Sequence, residues 1–216
     1  MEWYLFVTLF VWVAFLGVIL VLHSNGWLKP KATIQYAAQR LDPSILSGSA
    51  STQDDEIVLT SEAQDEGSCH WDGPTIQGDW TMEATFLLMD NPTTASGLLW
   101  VHMFDETIQL NVHLAPGLSR HWQLLVHGTE MASGTVPPTA ACPVRLHTHT
   151  THQVTLLTIS IASCVKRVVL RSFQGSVAGP FTGSFTGSLS GSLACGAVVH
   201  ASPQTILLRD VYLVPN

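Results

Sequence analysis

The chain has 216 residues, of which 46% are hydrophobic and only 12% charged, with a formal net charge of −7. This is material for one membrane anchor and one domain of ordinary size, and the composition excludes a disordered tail; a single long apolar run excludes a polytopic transporter. With no basic stripe and no RNA-binding motif, a nucleic-acid partner is excluded as well.

Twenty residues from Trp3 to Leu22 carry no charge. As a helix they reach about 30 Å, the thickness of a hydrocarbon core. Trp3 and Tyr4 at one end and Trp27 beyond the other are placed as interfacial aromatics, so residues 1–28 are predicted to be a transmembrane anchor in contact with the lipid bilayer. The run is too long for a signal-peptide core and no Lys or Arg precedes it, so it is expected to stay uncleaved. Lys29, Lys31 and Arg40 follow it, and the positive-inside rule then puts the remainder in the cytosol or matrix. Four cysteines argue the other way. Cys69, Cys142, Cys164 and Cys195 are an even number with spacings that match no zinc pattern, compatible with two disulfides in an oxidising space or with buried thiols.

Ile34, Ala37, Ala38 and Leu41 recur at helical spacing before Pro43, predicting a short amphipathic helix over Lys31–Leu41. Residues 44–67, rich in Ser, Gly, Asp and Glu apart from the strand-like Ile57-Val58-Leu59, read as a linker, so 29–68 form one connecting region. A folded domain is expected over 69–216. There the period is two: Met82, Ala84, Phe86 and Leu88 alternate with polar residues, as do Ile108, Leu110, Val112 and Leu114. Leu98–Phe104 is apolar on both faces and reads as a central strand. Further strands are expected near Trp122–His127, Val154–Ile161, Val165–Phe173, Ala197–His200 and Thr205–Val214, separated by proline-bearing turns. The fold class is therefore mainly β: a jelly-roll type antiparallel β-sandwich preceded by one transmembrane helix and a short amphipathic helix.

Between the strands expected near Val165–Phe173 and Ala197–His200, a four-residue rhythm places Phe181, Phe185, Leu189 and Leu193 at equal steps through Gly and Ser. Either this is a flexible loop, or the four apolar side chains dock on a partner. Charge is segregated too, since residues 41–119 hold thirteen acidic and no basic side chains whereas 120–216 hold six basic and two acidic. Interleaved strands would mix the two sets on one surface; unmixed, they would make an acidic patch for a basic partner.

No nucleophile motif or phosphate-cradling glycine loop is present, and no enzyme is expected. His147 and His149 would share one face of a strand about 7 Å apart, a spacing used by metal sites, but a third ligand is required and none is adjacent in sequence. They stand as weak metal candidates, with a metal-dependent hydrolase as the corresponding remote reading; no cofactor is expected.

Gly78-Asp79-Trp80-Thr81-Met82-Glu83-Ala84, His152-Gln153-Val154 and Leu208-Arg209-Asp210-Val211-Tyr212-Leu213 resemble the opening, middle and closing strands of laminin G-like and concanavalin A-like sandwiches, over residues 75–214. Thr151 stands where that family has tryptophan, and no calcium ligands match. The resemblance implies a β-sandwich with a binding habit, often toward glycans or extracellular proteins, and carries over no site. Two functions follow as expectations. The first is a non-catalytic, single-pass accessory subunit that packs against other membrane-protein subunits, with a mitochondrial inner-membrane assembly of respiratory or ATP synthase type as the specific case. The alternative is a membrane-tethered lectin-like module at the cell surface or in the secretory pathway, using an exposed aromatic such as Trp71 or Trp122.

Overall fold

The computed structural model describes residues 43–53, 56–72, 76–117, 119–151, 154–172, 188–189 and 191–215. The predicted transmembrane and amphipathic helices, with Phe181 and Phe185, lie outside these residues. Among the described residues no helix is long and apolar enough to cross a membrane.

The described residues form strands joined by turns. In chain order these are β1 (Ile45–Gly48), β2 (Ser51–Gln53), β3 (Glu56–Thr60), β4 (Glu66–Trp71), β5 (Ile76–Gln77), β6 (Trp80–Leu88), β7 (Gly97–Met103) and β8 (Ile108–Leu114). They continue as β9 (Arg120–Val126), β10 (Thr129–Val136), β11 (Ala141–Thr150), β12 (Val154–Ile161), β13 (Cys164–Ser172), β14 (Ser188–Leu189), β15 (Leu193–Val199) and β16 (Ile206–Pro215). The first sheet runs β1-β4-β15-β7-β8-β9-β10 and the second β13-β12-β11-β6-β16-β3-β2, all pairs antiparallel; β14 and β5 make a separate ribbon. The antiparallel sandwich expected from the period-two pattern is thus present.

The alternation works as the sequence requires. Met82, Ala84, Phe86 and Leu88 of β6 and Ile108, Leu110, Val112 and Leu114 of β8 are all buried, each contributing to one hydrophobic core. Full burial of such a side chain is worth about 1.5–3 kcal/mol. Trp80 is 1% exposed and meets Phe104 edge-on at 5.4 Å, while its backbone N–H donates to Thr148 Oγ1 at 2.8 Å, tying the start of β6 to β11. β7 lies between β15 and β8, as a central strand should.

Two expectations need correcting. Residues 44–67 are not a linker ahead of a sandwich that starts at Cys69, because β3 pairs with β16 inside the second sheet and β4 with β15 inside the first. Ile57 and Leu59 supply the reason: both are buried in the core. Leu193 is not a docking side chain either, being 1% exposed on β15, where it faces the core with Cys195 and Ala197. Leu189 pairs through its backbone with Ile76.

The segregated charges mix in space as interleaved strands would have it. Arg145 Nε stands 3.1 Å from Glu83 Oε1, and Arg209 bonds to Glu56, each pair joining the basic half of the chain to the acidic half.

Candidate functional site

The inward residues of the first sheet leave a second set pointing outward, and the strand register arranges these in rows. One row reads Ser68, Gly196, Trp100, Asn111, Gln123, Ser133 across β4, β15, β7, β8, β9 and β10. The next reads His70, Ala194, His102, Gln109, Leu125, Glu130, and the one on the other side Glu66, Val198, Leu98, His113, His121, Thr135. No Lys or Arg occupies any of these positions. Amides, imidazoles and one indole fill the middle of this face, with Glu66 and Glu130 on its outermost strands, a composition unlike the mixed charges usual for solubility alone.

Trp100 is the centre of it. Gly196 lies directly beneath, so close that a methyl group there would fall inside the indole, and the missing side chain is what lets the ring lie against the sheet. His102 stacks beside it, with ring centroids 4.5 Å apart at 30°. Burial holds the His102 imidazole below its usual titration range; Glu106, 3.9 Å from Nδ1, and a hydrogen bond with Asn111 oppose this, and His70 adds to it. On the neighbouring strands His113 and His121 stack at 6.3 Å, Ser68 Oγ bonds His70 Nε2 at 3.1 Å, and Gln123 donates to Glu130. The face offers an aromatic plane with amide and imidazole donors and acceptors around it and the carboxylates of Glu106 and Glu130 at its margin, an arrangement suited to a ligand with one apolar face and many hydroxyls.

The end of this face nearest the β7–β8 turn is fixed. Phe104, Asp105 and Glu106 take positive φ of 53°, 53° and 64°, a costly run for residues with side chains. Asp105 Oδ1 accepts from both the N–H and the hydroxyl of Ser192 at 2.9 Å, which stabilises the turn and holds that carboxyl below its usual range.

The residues singled out from the sequence lie elsewhere. His147 and His149 share the outer face of β11, in the second sheet, as expected. Thr81 Oγ1 is 2.9 Å from His147 Nδ1, and Asp79 Oδ2 is 3.6 Å from His149 Nδ1 while accepting the Thr150 N–H at 2.9 Å. The carboxylate that sequence proximity could not supply is therefore Asp79. Even so, no group of three His, Cys, Asp or Glu among the described residues is placed to hold a metal. Trp71 and Trp122, expected as exposed binding aromatics, are 3% and 1% exposed and belong to the core.

All four thiols are free. Cys69 and Cys195 face each other across β4 and β15, both fully buried, with Cys69 Sγ donating to the Cys195 carbonyl at 3.6 Å. Burial pushes the Cys69 thiol up to about 12, and that of Cys195 up as well, helped by Cys69. Cys142 is raised by burial, against the pull of Arg120. Arg120 itself is 1% exposed, donates through Nη2 to the Thr139 carbonyl at 2.6 Å, and leaves Nη1 without a partner. It lies behind the face, inside the core, and contributes nothing to the surface.

No family model and no curated protein matches the sequence. Solved structures do match. The potassium-bound Emp46p carbohydrate recognition domain superposes with a TM-score of 0.58 at 14% identity, covering 78% of this chain and 87% of that one. The carbohydrate recognition domain of Emp47p gives 0.57 at 18% identity over 80% and 88%. The exoplasmic/lumenal domain of VIP36, in a form bound to Ca2+ and Man3GlcNAc, gives 0.54 at 12% over 79% and 85%. The likeness is one of fold: this chain shares a two-sheet antiparallel β-sandwich with these domains, the architecture that the resemblance in the sequence implied.

Proposed function

We propose that this chain is a non-catalytic, lectin-like module that binds glycan on the outer face of its first sheet, tethered by the apolar run at 3–22 and facing the lumen of the secretory pathway. The observation that carries the reading is Trp100, laid flat over Gly196 and ringed by His102, Asn111 and Gln123 on a face whose rows hold no Lys or Arg. The fold supports it, since the similar structures are carbohydrate recognition domains and a lumenal domain. The accessory-subunit reading drew in part on an apolar repeat of which Leu193 is core, and no observation among the described residues favours a mitochondrial assembly.

The test is a glycan-binding screen of the purified protein followed by titration of the best ligand. Trp100→Ala is expected to weaken binding by tenfold or more, the loss of a central aromatic contact, with the circular dichroism spectrum unchanged. A folded Trp100→Ala protein that binds as well as the wild type would sink the assignment, as would a screen with no ligand.

The compartment has its own readout. Residues directly opposed in an antiparallel pair have Cα atoms about 4.5–5.5 Å apart, inside the range a disulfide spans. In an oxidising lumen the Cys69 and Cys195 thiols, before the sheet closes over them, each give up a proton and an electron to a disulfide-bearing oxidant and become joined. Peptide mapping of the protein taken from the lumen without reductant is expected to recover Cys69 linked to Cys195. Recovery of both as thiols counts against the lumenal placement.

A further inference from the structure

A second deviation from regular sheet geometry lies on the opposite side of the sandwich, on the outer face of the second sheet. There a groove of about 360 Å³ runs across β6, β11, β12 and β16. A proline and one breach of local rule meet in its walls. Pro143 stands where β11 runs past the end of β12, whose ladder begins at Val144, so its missing N–H breaks no pair; its carbonyl accepts from the N–H of Ala162 in the β12–β13 turn. Opposite it, the β6–β16 register breaks between Arg209 and Tyr212, and Asp210 takes a φ of +52°, a conformation that side-chain-bearing residues seldom adopt. The bulge brings Arg209 and Tyr212, three apart in sequence, opposite Thr85 and Glu83 on one face of β6, and Asp210 lines the groove beside Tyr212. A side-chain-bearing residue held in the left-handed region at a bulge is the kind of departure that gathers at functional sites.

The chemistry of the walls selects the ligand. Tyr212 supplies an aromatic surface; Arg145 and Glu83, 3.1 Å apart, supply a donor fork and an acceptor whose charges cancel; Asp210 and the Ser160 hydroxyl supply further acceptors and a donor. A peptide lying here finds few main-chain partners, because the ladder groups of β6, β11 and β12 lie in the plane of the sheet and are taken by neighbouring strands. Recognition must go through side chains, and the uncompensated Asp210 carboxylate repels anions. The volume is at the low end for ligand pockets, the size for a small molecule. We infer that this groove is a second carbohydrate site, independent of Trp100, that takes a neutral saccharide of one or two rings and discriminates against sialylated or sulfated ones.

The inference is tested on the full chain carrying Trp100→Ala, so that the first face is silent, using mannobiose and N,N′-diacetylchitobiose as probes in a saturation-transfer NMR titration. At least one disaccharide is expected to bind, and Tyr212→Ala added to Trp100→Ala is expected to weaken it tenfold or more. Asp210→Asn, nearly isosteric and equally at ease with a left-handed backbone, keeps the test valid if Tyr212→Ala does not fold, and is expected to weaken binding several-fold. Absence of binding by both disaccharides at millimolar concentration, or binding that neither substitution changes, overturns the second site. Because the background lacks Trp100, that result leaves the assignment of the first face standing or falling on its own titration.

Discussion

Gly97→Ala is expected to cost the protein a large share of its stability, and Gly196→Ala chiefly its ligand. Both glycines lie in the first sheet and are paired across β7 and β15, Gly97 opposite Val199 and Gly196 opposite Trp100. A methyl group on Gly97 would fall on the Val198 carbonyl oxygen, 3.0 Å from its carbon and 3.3 Å from Val199 Cα. These are backbone atoms of the adjacent strand, and no rotamer change moves them. Overpacking of a well-packed region destabilises by about 1–3 kcal/mol, occasionally more, and a clash with backbone belongs at the upper end. Against a total stability of about 5–15 kcal/mol, Gly97→Ala is expected to lower the urea midpoint sharply or leave the protein insoluble.

At Gly196 the obstacle is a side chain. The added methyl would meet the Trp100 indole, which can swing outward about its own bonds. Stability is expected to fall by about 1 kcal/mol, at the mild end of overpacking, while the ring leaves its place beside His102 and glycan affinity drops tenfold or more. Urea melts and the ligand titration on both variants decide it. Equal stability of Gly97→Ala and wild type would show that the strands can part cheaply, and undiminished binding by Gly196→Ala would show that the flat seating of Trp100 is irrelevant.

The contrast shows where a sequence reading reaches and where it stops. β6 and β8 were legible because a strand with one buried face writes its geometry as strict alternation. β1 and β2 were not, because every residue in them is exposed and an edge strand without a buried face writes no period. β4, with Gly67, Ser68 and Cys69 buried in sequence, lacks alternation for another reason: small residues pack on both of its sides. Trp100 was hidden inside Leu98–Phe104, where apolar residues on both faces suggested two-sided burial. Parity could have exposed it. Leu99, Val101 and Met103 fill the core, so Trp100 and His102 must face outward together. The same parity puts Trp122 in register with the buried Leu124 and Val126, and so in the core. Hydrophobicity alone does not distinguish a core tryptophan from a binding one, and the pairing of Gly196 beneath Trp100, with nearly a hundred residues of chain between them, is invisible before the sheet is assembled.

Stability against pH is expected to form a plateau with a chemically distinct fall on each side, and the alkaline fall reports the state of the core cysteines. His102 and His147 both titrate below 6.5 in the folded protein, chiefly because burial disfavours the charged ring; Glu106 and Asn111 oppose the effect at His102, and Asp79 opposes it at His147 while Arg145 and His149 reinforce it. Their contribution is present above pH 6.5 and is lost as the pH falls through their lowered folded values, so acid stability declines from just below 6.5. Cys69 goes the other way, raised from 9.0 to about 12, and Cys195 and Cys142 are raised as well. The unfolded chain releases these protons first, so their contribution is whole below pH 9 and is lost as the pH rises toward the folded values, at up to about 1.4 kcal/mol per pH unit for each thiol. Joining Cys69 to Cys195 removes two of the three thiols from this balance. Urea melts between pH 8 and 11, run with and without reductant on protein from an oxidising compartment, are therefore expected to diverge above pH 9, the reduced form falling more steeply. Parallel curves would show that the two cysteines are not exchanging between thiol and disulfide, and with that the lumenal assignment would lose its covalent support while the Trp100 face kept its own.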